Sequence, residues 1–466
     1  MGNRWQNQEE AFQFAMAHPA CMLDMEMGTG KTRVAIDVSL ARKDVTRVLV
    51  VCPKAVLPVW ASELEKHADG LRYECWTKDP KASIAKGACE MREFMAGKPA
   101  PMVTKFAIVN YDSVWRGLMG DVVQSIKFDM IILDESHRIK AAGSKVSKFF
   151  GMIGKRVKYK LCLSGTPMAN SPLDVYGQYR FLDSSLFGTN HSVFLQNYAI
   201  MSLTSPPFVV GVRNQHLLME KYNSIAYTCK MSDVADRLKL PEALPPVQLP
   251  IQLPARDMGT LRKLAKEFIA ECGTGGMIVL NNVLTRTLRM QQITSGFCKV
   301  QDDPASDAWV EDLNSAKEDA LADILGDIDA NEQVVVFCVF QHDLDAIASA
   351  ALKCKRRPYE LSGRDNGLEM WKKTKGAVLA VQIQAGAEGV DMTCANHAIY
   401  FSLPHSLALY DQSKARLYRP NQKRPVSFVH LVAVGTIDEV MYDALLRKKD
   451  LIGAIKDGSV DFGRLK

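Results

Sequence analysis

Residues 24–37 read DMEMGTGKTRVAID, and the reading of this stretch decides the fold of the chain's first part. The strict phosphate-loop pattern asks for Gly, four residues of any kind, then Gly-Lys-Ser/Thr. Its tail stands here as Gly30-Lys31-Thr32, but Met25 occupies the place of the leading glycine. Two readings are open: a nucleotide loop of a variant type, or a glycine turn that carries a lysine. The flanks favour the first, because ACML (20–23) is strand-like and 32–42 is helix-like. In that setting the backbone N–H groups of 28–32, at a helix N-terminus, would cradle phosphate oxygens. Lys31 would neutralise the β- and γ-phosphates, and the Thr32 hydroxyl would ligate Mg²⁺.

Working outward, short apolar runs recur at 48–52, 106–110, 129–133 and 160–163, with helical stretches such as 58–67 between them. Runs apolar throughout are those of parallel strands covered on both faces, so 1–185 reads as a doubly wound α/β lobe. The pattern breaks down over 186–310, where Pro206-Pro207 and LPEALPPVQLPIQLP (240–254) interrupt it and helix-like pieces follow near 256–272 and 277–293. This reads as a helical insertion with a proline-stiffened connector. Alternation returns over 311–466, with strand candidates at 334–340, 378–381, 397–403 and 427–433. A closing helix is expected from Thr436, whose spacing to Glu439 makes a capping box.

At 466 residues the chain is too long for one core, and 47% hydrophobic with 24% charged residues is ordinary for a globular protein. No apolar run approaches a membrane span, and the first residues are polar where a signal peptide would be apolar. Eleven scattered cysteines form no Cys-x-x-Cys pair, which argues against a zinc site or disulfide framework and for a reducing cytoplasm. The net charge of +6 permits a polyanionic partner without demanding one.

Three further stretches carry chemistry. IILDESHRIK (131–140) delivers Asp134 and Glu135 at the carboxyl end of a strand, where ligands bind in such sheets. Asp134 suits a hydrated Mg²⁺ and Glu135 an attacking water. LSGTP (163–167) ends a strand with Ser164 and Thr166, whose hydroxyls could respond to a γ-phosphate. In DQSKARLYRPNQ (411–422), Arg416 and Arg419 are three apart and on a helix would share one face, as arginine fingers offered to that phosphate.

GTGKT, DESH, LSGTP and Q-x-x-x-R-x-x-R-P-N-Q, in this order, resemble helicase superfamily two. Within it they are similar to the Swi/Snf-type ATPases, in the compact form met in bacteriophages and bacteria. CPKAVLPVWASEL (52–64), VNYDSV (109–114), AGAEGVDMT (385–393) and TIDEVMYDALLRKKDL (436–451) resemble further motifs of that family. The superfamily does not require the first glycine, so the resemblance makes the opening stretch a nucleotide site.

The resemblance implies two RecA-like lobes with ATP and Mg²⁺ in the cleft between them. It implies adenine reading by Gln8, phosphate contacts from Gly28, Thr29, Gly30 and Lys31, and metal ligation at Thr32 and Asp134. Glu135 matches the water-activating carboxylate, and His137 the link from that site to Thr166, with Ser164 beside it. Gly389, Asp391, Gln412, Arg416 and Arg419 match the second lobe's half of the site. Lys54, Asn110, Thr166 and Gln384 match positions that line a nucleic-acid groove, and KRVKYK (155–160) and Arg286/Arg289 are basic clusters suited to phosphates. The family pattern is departed from at Pro420-Asn421, at Asp391 and in CKMSDVADRL (229–238).

The expected function is that of a monomeric, cytoplasmic motor, in a bacterial or phage-infected cell, that hydrolyses ATP to translocate on double-stranded DNA and remodel DNA or protein–DNA complexes. The alternatives are a strand-separating helicase at forked or branched DNA and an ATP-gated DNA-binding scaffold.

Overall fold

The computed structural model describes residues 4–68, 73–79, 81–97, 102–168, 171–202, 208–234, 240–241, 244–273, 280–300, 309–386, 390–420 and 422–447. The chain forms two compact units, Met1–Leu238 and Lys239–Lys466.

In the first unit, β1 (Ala20–Met25), β2 (Arg47–Cys52), β3 (Tyr73–Thr77), β4 (Thr104–Asn110), β5 (Met130–Asp134) and β6 (Tyr159–Ser164) follow in chain order. A hairpin of β7 (Ala199–Met201) and β8 (Val209–Val212) precedes β9 (Ala226–Cys229). The sheet order is β3-β4-β2-β5-β6-β1-β9, parallel throughout. Alternate residues of one strand feed two cores: Leu49 and Val51 of β2 face one, Val48, Val50 and Cys52 the other. A sheet buried on both faces needs uninterrupted apolar strands, which is why these runs were legible.

The second unit contains β10 (Val247–Ile251), the antiparallel pair β11 (Phe297–Val300) and β12 (Trp309–Asp312), β13 (Val334–Cys338), β14 (Pro358–Leu361), β15 (Val378–Gln382), β16 (His397–Tyr400) and β17 (Ser427–Ala433). Its parallel sheet runs β10-β17-β16-β13-β15-β14. Helices Ala255–Gly273 and Leu280–Thr294 pack Leu261, Ala265, Met290 and Ile293 into this unit's core.

The expected 186–310 segment is divided between the units. Parallel pairing of β9 with β1 ties 226–229 to the first sheet, and pairing of β10 with β17 ties 247–251 to the second. The proline-rich stretch is therefore more than a connector: Pro250 lies in an edge strand, where one side of the backbone needs no donor. The closing helix is Ile437–Leu446, and the Thr436 hydroxyl accepts from the Asp438 N–H rather than from Glu439 as expected. Among the described residues no helix is long and apolar enough to cross a membrane.

A candidate nucleotide site

Met25 is the last residue of β1, fully buried and opposite Cys229. The chain is still extended at this position, so it needs no glycine. The turn comes later. Thr29 donates its N–H and hydroxyl to the Glu26 carbonyl, at 3.3 and 2.7 Å. Gly28 and Gly30 adopt φ of 85° and 90°, a region that side chains disfavour. Gly30 is the N-cap of helix Lys31–Ala41, and that helix start exposes N–H groups to any anion in the loop.

Helix Gln6–Ala17 lies against this loop. Asn7 Nδ2 donates to the Thr29 carbonyl at 2.9 Å, and a methyl at Gly30 would come within 2.1 Å of Gln8 Nε2. Arg4 fastens the start of this helix, donating to Asp37 at 2.6 Å and to Glu9 at 2.7 Å. Gln8 was expected here; Asn7 and the Arg4–Asp37 pair carry no local signal in sequence.

β5 brings the carboxylates. Glu135 follows it with φ 52°, a left-handed conformation costly for a residue with a β-carbon. The strain aims the side chain at the loop, and Glu135 Oε1 stands 3.3 Å from Lys31 Nζ. On its other side Oε2 is 3.4 Å from His137 Nδ1. Burial pushes the Glu135 carboxyl up, but Lys31 and His137 outweigh it and hold the group below the usual carboxylate range. Asp134 behaves in the opposite way. Burial and the neighbouring Glu135 raise its pKa to about 6, against the opposing pull of Lys31. Asp134 Oδ2 accepts from the Trp60 indole at 2.8 Å, and the Tyr111 hydroxyl donates to its backbone carbonyl at 2.8 Å. Trp60 and Tyr111 come from the two motifs at 52–64 and 109–114, so those stretches support the carboxylates directly.

The end of β6 closes the third side. A β-carbon on Gly165 would lie 3.3 Å from Glu26 Cα, so LSGTP abuts the glycine loop. His137 Nδ1 and Ser164 Oγ are 3.3 Å apart, and Ser164 Oγ accepts the Thr166 N–H at 3.1 Å. The expected link from His137 to Thr166 thus runs through Ser164. Gln178, which sequence reasoning missed, bridges the motifs by accepting from Ser136 and donating to the Pro167 carbonyl, at 2.7 and 2.8 Å.

Gln8, Gly28, Thr29, Gly30, Lys31, Thr32, Asp134, Glu135, His137, Ser164 and Thr166 all belong to the first unit and gather at the carboxyl ends of β1, β5 and β6. Glu135 faces Lys31 and His137, while the adjacent buried Asp134 accepts from the Trp60 indole and the Glu135 N–H, and two carboxylates so close together fit a divalent cation with oxygen ligands.

In the second unit, Gln412 is buried on helix Leu407–Lys414. Arg416 and Arg419 lie beyond its end, which corrects the expectation that a helix face presents both. The chain leaves the helix through the tight turn Arg416 N–H to Ser413 O, and Pro420 disfavours helical backbone at Arg419. Arg416 is buried, and Arg419 Nη1 donates to the Val390 carbonyl at 3.3 Å. Asp391 is exposed and accepts the Thr393 N–H, while Gly389 and Asn421 lie outside the described residues.

Of the groove candidates, Lys54 and Gln384 are exposed and Thr166 is half-buried. Asn110 is buried and accepts from Ser113 at 2.8 Å. The 155–160 cluster precedes and enters β6, at the end of the sheet away from the glycine loop, and its Lys158 is paired with Asp44 at 2.6 Å. Arg289 donates to Gln292 and to the Lys299 carbonyl.

Residues 4–242 match the SNF2-related domain and 316–421 the helicase conserved C-terminal domain. The chain is similar to human "DNA annealing helicase and endonuclease ZRANB3", 24% identical over 94% of this chain and 39% of that protein. It is also similar to "DNA repair and recombination protein RAD54-like" of Drosophila erecta, 22% identical over 94% of this chain and 60% of the relative. The chain thus spans well under two thirds of each. Among solved structures, the Hef helicase domain of Pyrococcus furiosus has a TM-score of 0.52 at 14% identity, covering 94% of this chain and 97% of that one. The shared fold is two RecA-like parallel-sheet lobes.

Proposed function

We infer, for a chain that belongs to the SNF2-related family, an ATP-driven motor that translocates on double-stranded DNA and remodels DNA or the proteins bound to it. The observation that carries this reading is the meeting of Lys31, from the glycine loop, with the strained Glu135 at the end of β5. In the proposed reaction the loop N–H groups and Lys31 bind the β- and γ-phosphates, and Gln8 reads the adenine edge. Glu135, held ionised by Lys31, orients the attacking water and accepts its proton. Asp134 and Thr32 would hold Mg²⁺, which supplies charge neutralisation at the phosphates when bound. His137, Ser164 and Thr166 pass the state of the γ-phosphate to the end of β6. From the second unit, Gln412 and Asp391 are proposed to contact the nucleotide, and Arg416 and Arg419 to act on the transition-state charge.

Both relatives carry names that describe action on DNA, which supports DNA as the track. A grip on phosphates carries no direct sequence information, so movement is sequence-independent. The test compares ATPase rates on duplex, single-stranded and forked DNA and on RNA. Stimulation by duplex that grows with length to a plateau, and displacement of a third strand from a triplex, are expected. Stimulation by single strands with unwinding of a tailed duplex would overturn the reading.

One observation favours strand separation as a second reading. Strand separation needs a wedge at the fork, and the β7–β8 hairpin presents exposed Ile200, Met201, Phe208 and Val210. A motor that uses this hairpin at a fork would lose unwinding, and keep duplex-stimulated ATPase, in Phe208→Ala/Val210→Ser.

A further inference from the structure

Helix Ala255–Gly273 shows an unusual distribution of charge. Arg256, Arg262, Lys263 and Lys266 are exposed, whereas Leu261 and Ala265 are buried in the second unit's core. At about 100° per residue the four cations fall within an arc of about 120°, opposite the buried stripe. The one carboxylate between 255 and 266, Asp257, is buried and accepts from Asn314 at 2.7 Å. Among the described residues none of the four cations has a carboxylate partner. Other cations of this unit are paired, Lys353 with Glu318 and Asp319, Arg364 with Asp345 and Glu360, and Lys372 with Glu369; what sets this helix apart is four cations on one face.

The arrangement is unfavourable for an isolated helix. Arg262 and Lys266 repel at i,i+4, and Arg256 sits in a first turn whose dipole disfavours cations. Further positive charge lies close by. Arg289 donates to the Lys299 carbonyl at 3.1 Å, which places it on β11 beside the exposed Lys299 side chain. Between the cations the surface is small and polar. Thr260 is exposed, and a β-carbon on Gly259 would meet nothing within 4 Å. That leaves room for close approach of a backbone. Over the described 255–266, Leu261 and Ala265 are already buried, so this face offers a membrane no apolar stripe.

We propose that Arg256, Arg262, Lys263 and Lys266 form a phosphate-binding face for duplex DNA, a grip that the second unit makes with its own surface. The proposal rests on the DNA-motor reading above. From 256 to 266 the helix advances about 15 Å, the axial length over which one strand of duplex carries about four phosphates. The number of cations and the length of the face match that ladder. A motor that steps needs each unit to hold the backbone while the other is released, and this face supplies such a hold outside the family's motifs.

The test measures nucleotide-free binding of the full chain to a short blunt duplex across a salt series. The quadruple variant R256A/R262A/K263A/K266A is compared with wild type and with K86A/K353A/R364A/K372A, which removes as many charges from ion-paired surface sites. The slope of log affinity against log salt should shrink by about 0.9 per lost phosphate contact, so by about 2–4 in the first variant. The control should keep the wild-type slope, and ATPase without DNA should be equal in all three. A wild-type slope in the first variant, or an equal loss in the control, overturns the proposal while leaving the motor reading in place. Loss of binding to an RNA duplex or to phosphatidylserine vesicles, with DNA binding unchanged, also overturns it. A wild type that neither binds nor responds to duplex overturns both.

Discussion

The Lys31 ammonium lies 3.3 Å from the Glu135 carboxylate across 104 positions of sequence, and both side chains are about nine-tenths shielded from solvent. Each group makes the other's burial tolerable. A lysine aimed at phosphates and a carboxylate aimed at water must both stay charged, and pairing them keeps them so until nucleotide arrives.

Lys31→Ala should abolish ATP hydrolysis and leave nucleotide-free DNA binding largely intact. It should also lower stability, by about 3 kcal/mol, because Glu135 is left buried without its cation. Denaturant unfolding of Lys31→Ala and of Lys31→Ala/Glu135→Gln checks this. The double variant should recover part of the loss, and equal stabilities would mean that the pair does not sustain the site.

Glu135→Gln should bind Mg-ATP and turn it over about two to four powers of ten more slowly, since an amide accepts no proton from water. Single-turnover measurements separate binding from chemistry. A rate within about threefold of wild type would remove Glu135 as the base.

Gly30→Ala places a methyl 2.1 Å from Gln8 Nε2 at a φ of 90°. Loop geometry and Gln8 should both be disturbed, with KM for ATP raised about tenfold or more. Gln8→Ala alone should leave the loop in place and erode discrimination between ATP and GTP. Preserved selectivity in Gln8→Ala would show that the glutamine supports the loop and does not read the base.

The pH response of Asp134 has a definite sign. Its folded pKa, raised to about 6 mainly by burial, lies above the ordinary carboxylate value, so the folded protein holds this proton more tightly. The stability this group contributes is full below about pH 4 and is lost as pH rises through about 6. Metal binding runs the other way, because a ligating carboxylate must be ionised. Apparent Mg²⁺ affinity should fall about tenfold per unit below pH 6, and Asp134→Asn should flatten that dependence. Lys31→Ala should move the fall to higher pH, since Lys31 opposes the rise.

A fragment of residues 1–238 should fold, bind ATP weakly and hydrolyse almost none of it, because the arginines proposed to complete the site lie at 416 and 419. A fragment of 1–185 should fare worse. It lacks β9, so the edge of β1 is bare beside the glycine loop, and the Tyr222 hydroxyl no longer donates to Asp24 at 2.8 Å. Circular dichroism and nucleotide titration of the two fragments decide this. Hydrolysis at the full-length rate by either would show that the second unit is not needed.

The sequence by itself determined the central strands of the two parallel sheets and the glycine turn between Ala20–Met25 and helix Lys31–Ala41. Central strands such as VLVVC and MIILD must be apolar on both faces, and a phosphate loop must have glycines where φ turns positive. Both demands fall on neighbouring residues and can be read locally. Only the tertiary structure decided which segments close the sheets. Ala226–Cys229 and Pro250-bearing Val247–Ile251 are edge strands whose hydrogen bonds come from β1 and β17, far away in the chain. The tether from Arg4 to Asp37, the supports from Trp60 and Tyr111 to Asp134, and the place of 155–160 away from the nucleotide loop were equally hidden. So was the escape of Arg416 and Arg419 from their helix. A side chain's type is local, but what it faces depends on which distant backbone supplies the missing hydrogen-bond or charge partner, and folding alone brings that partner near.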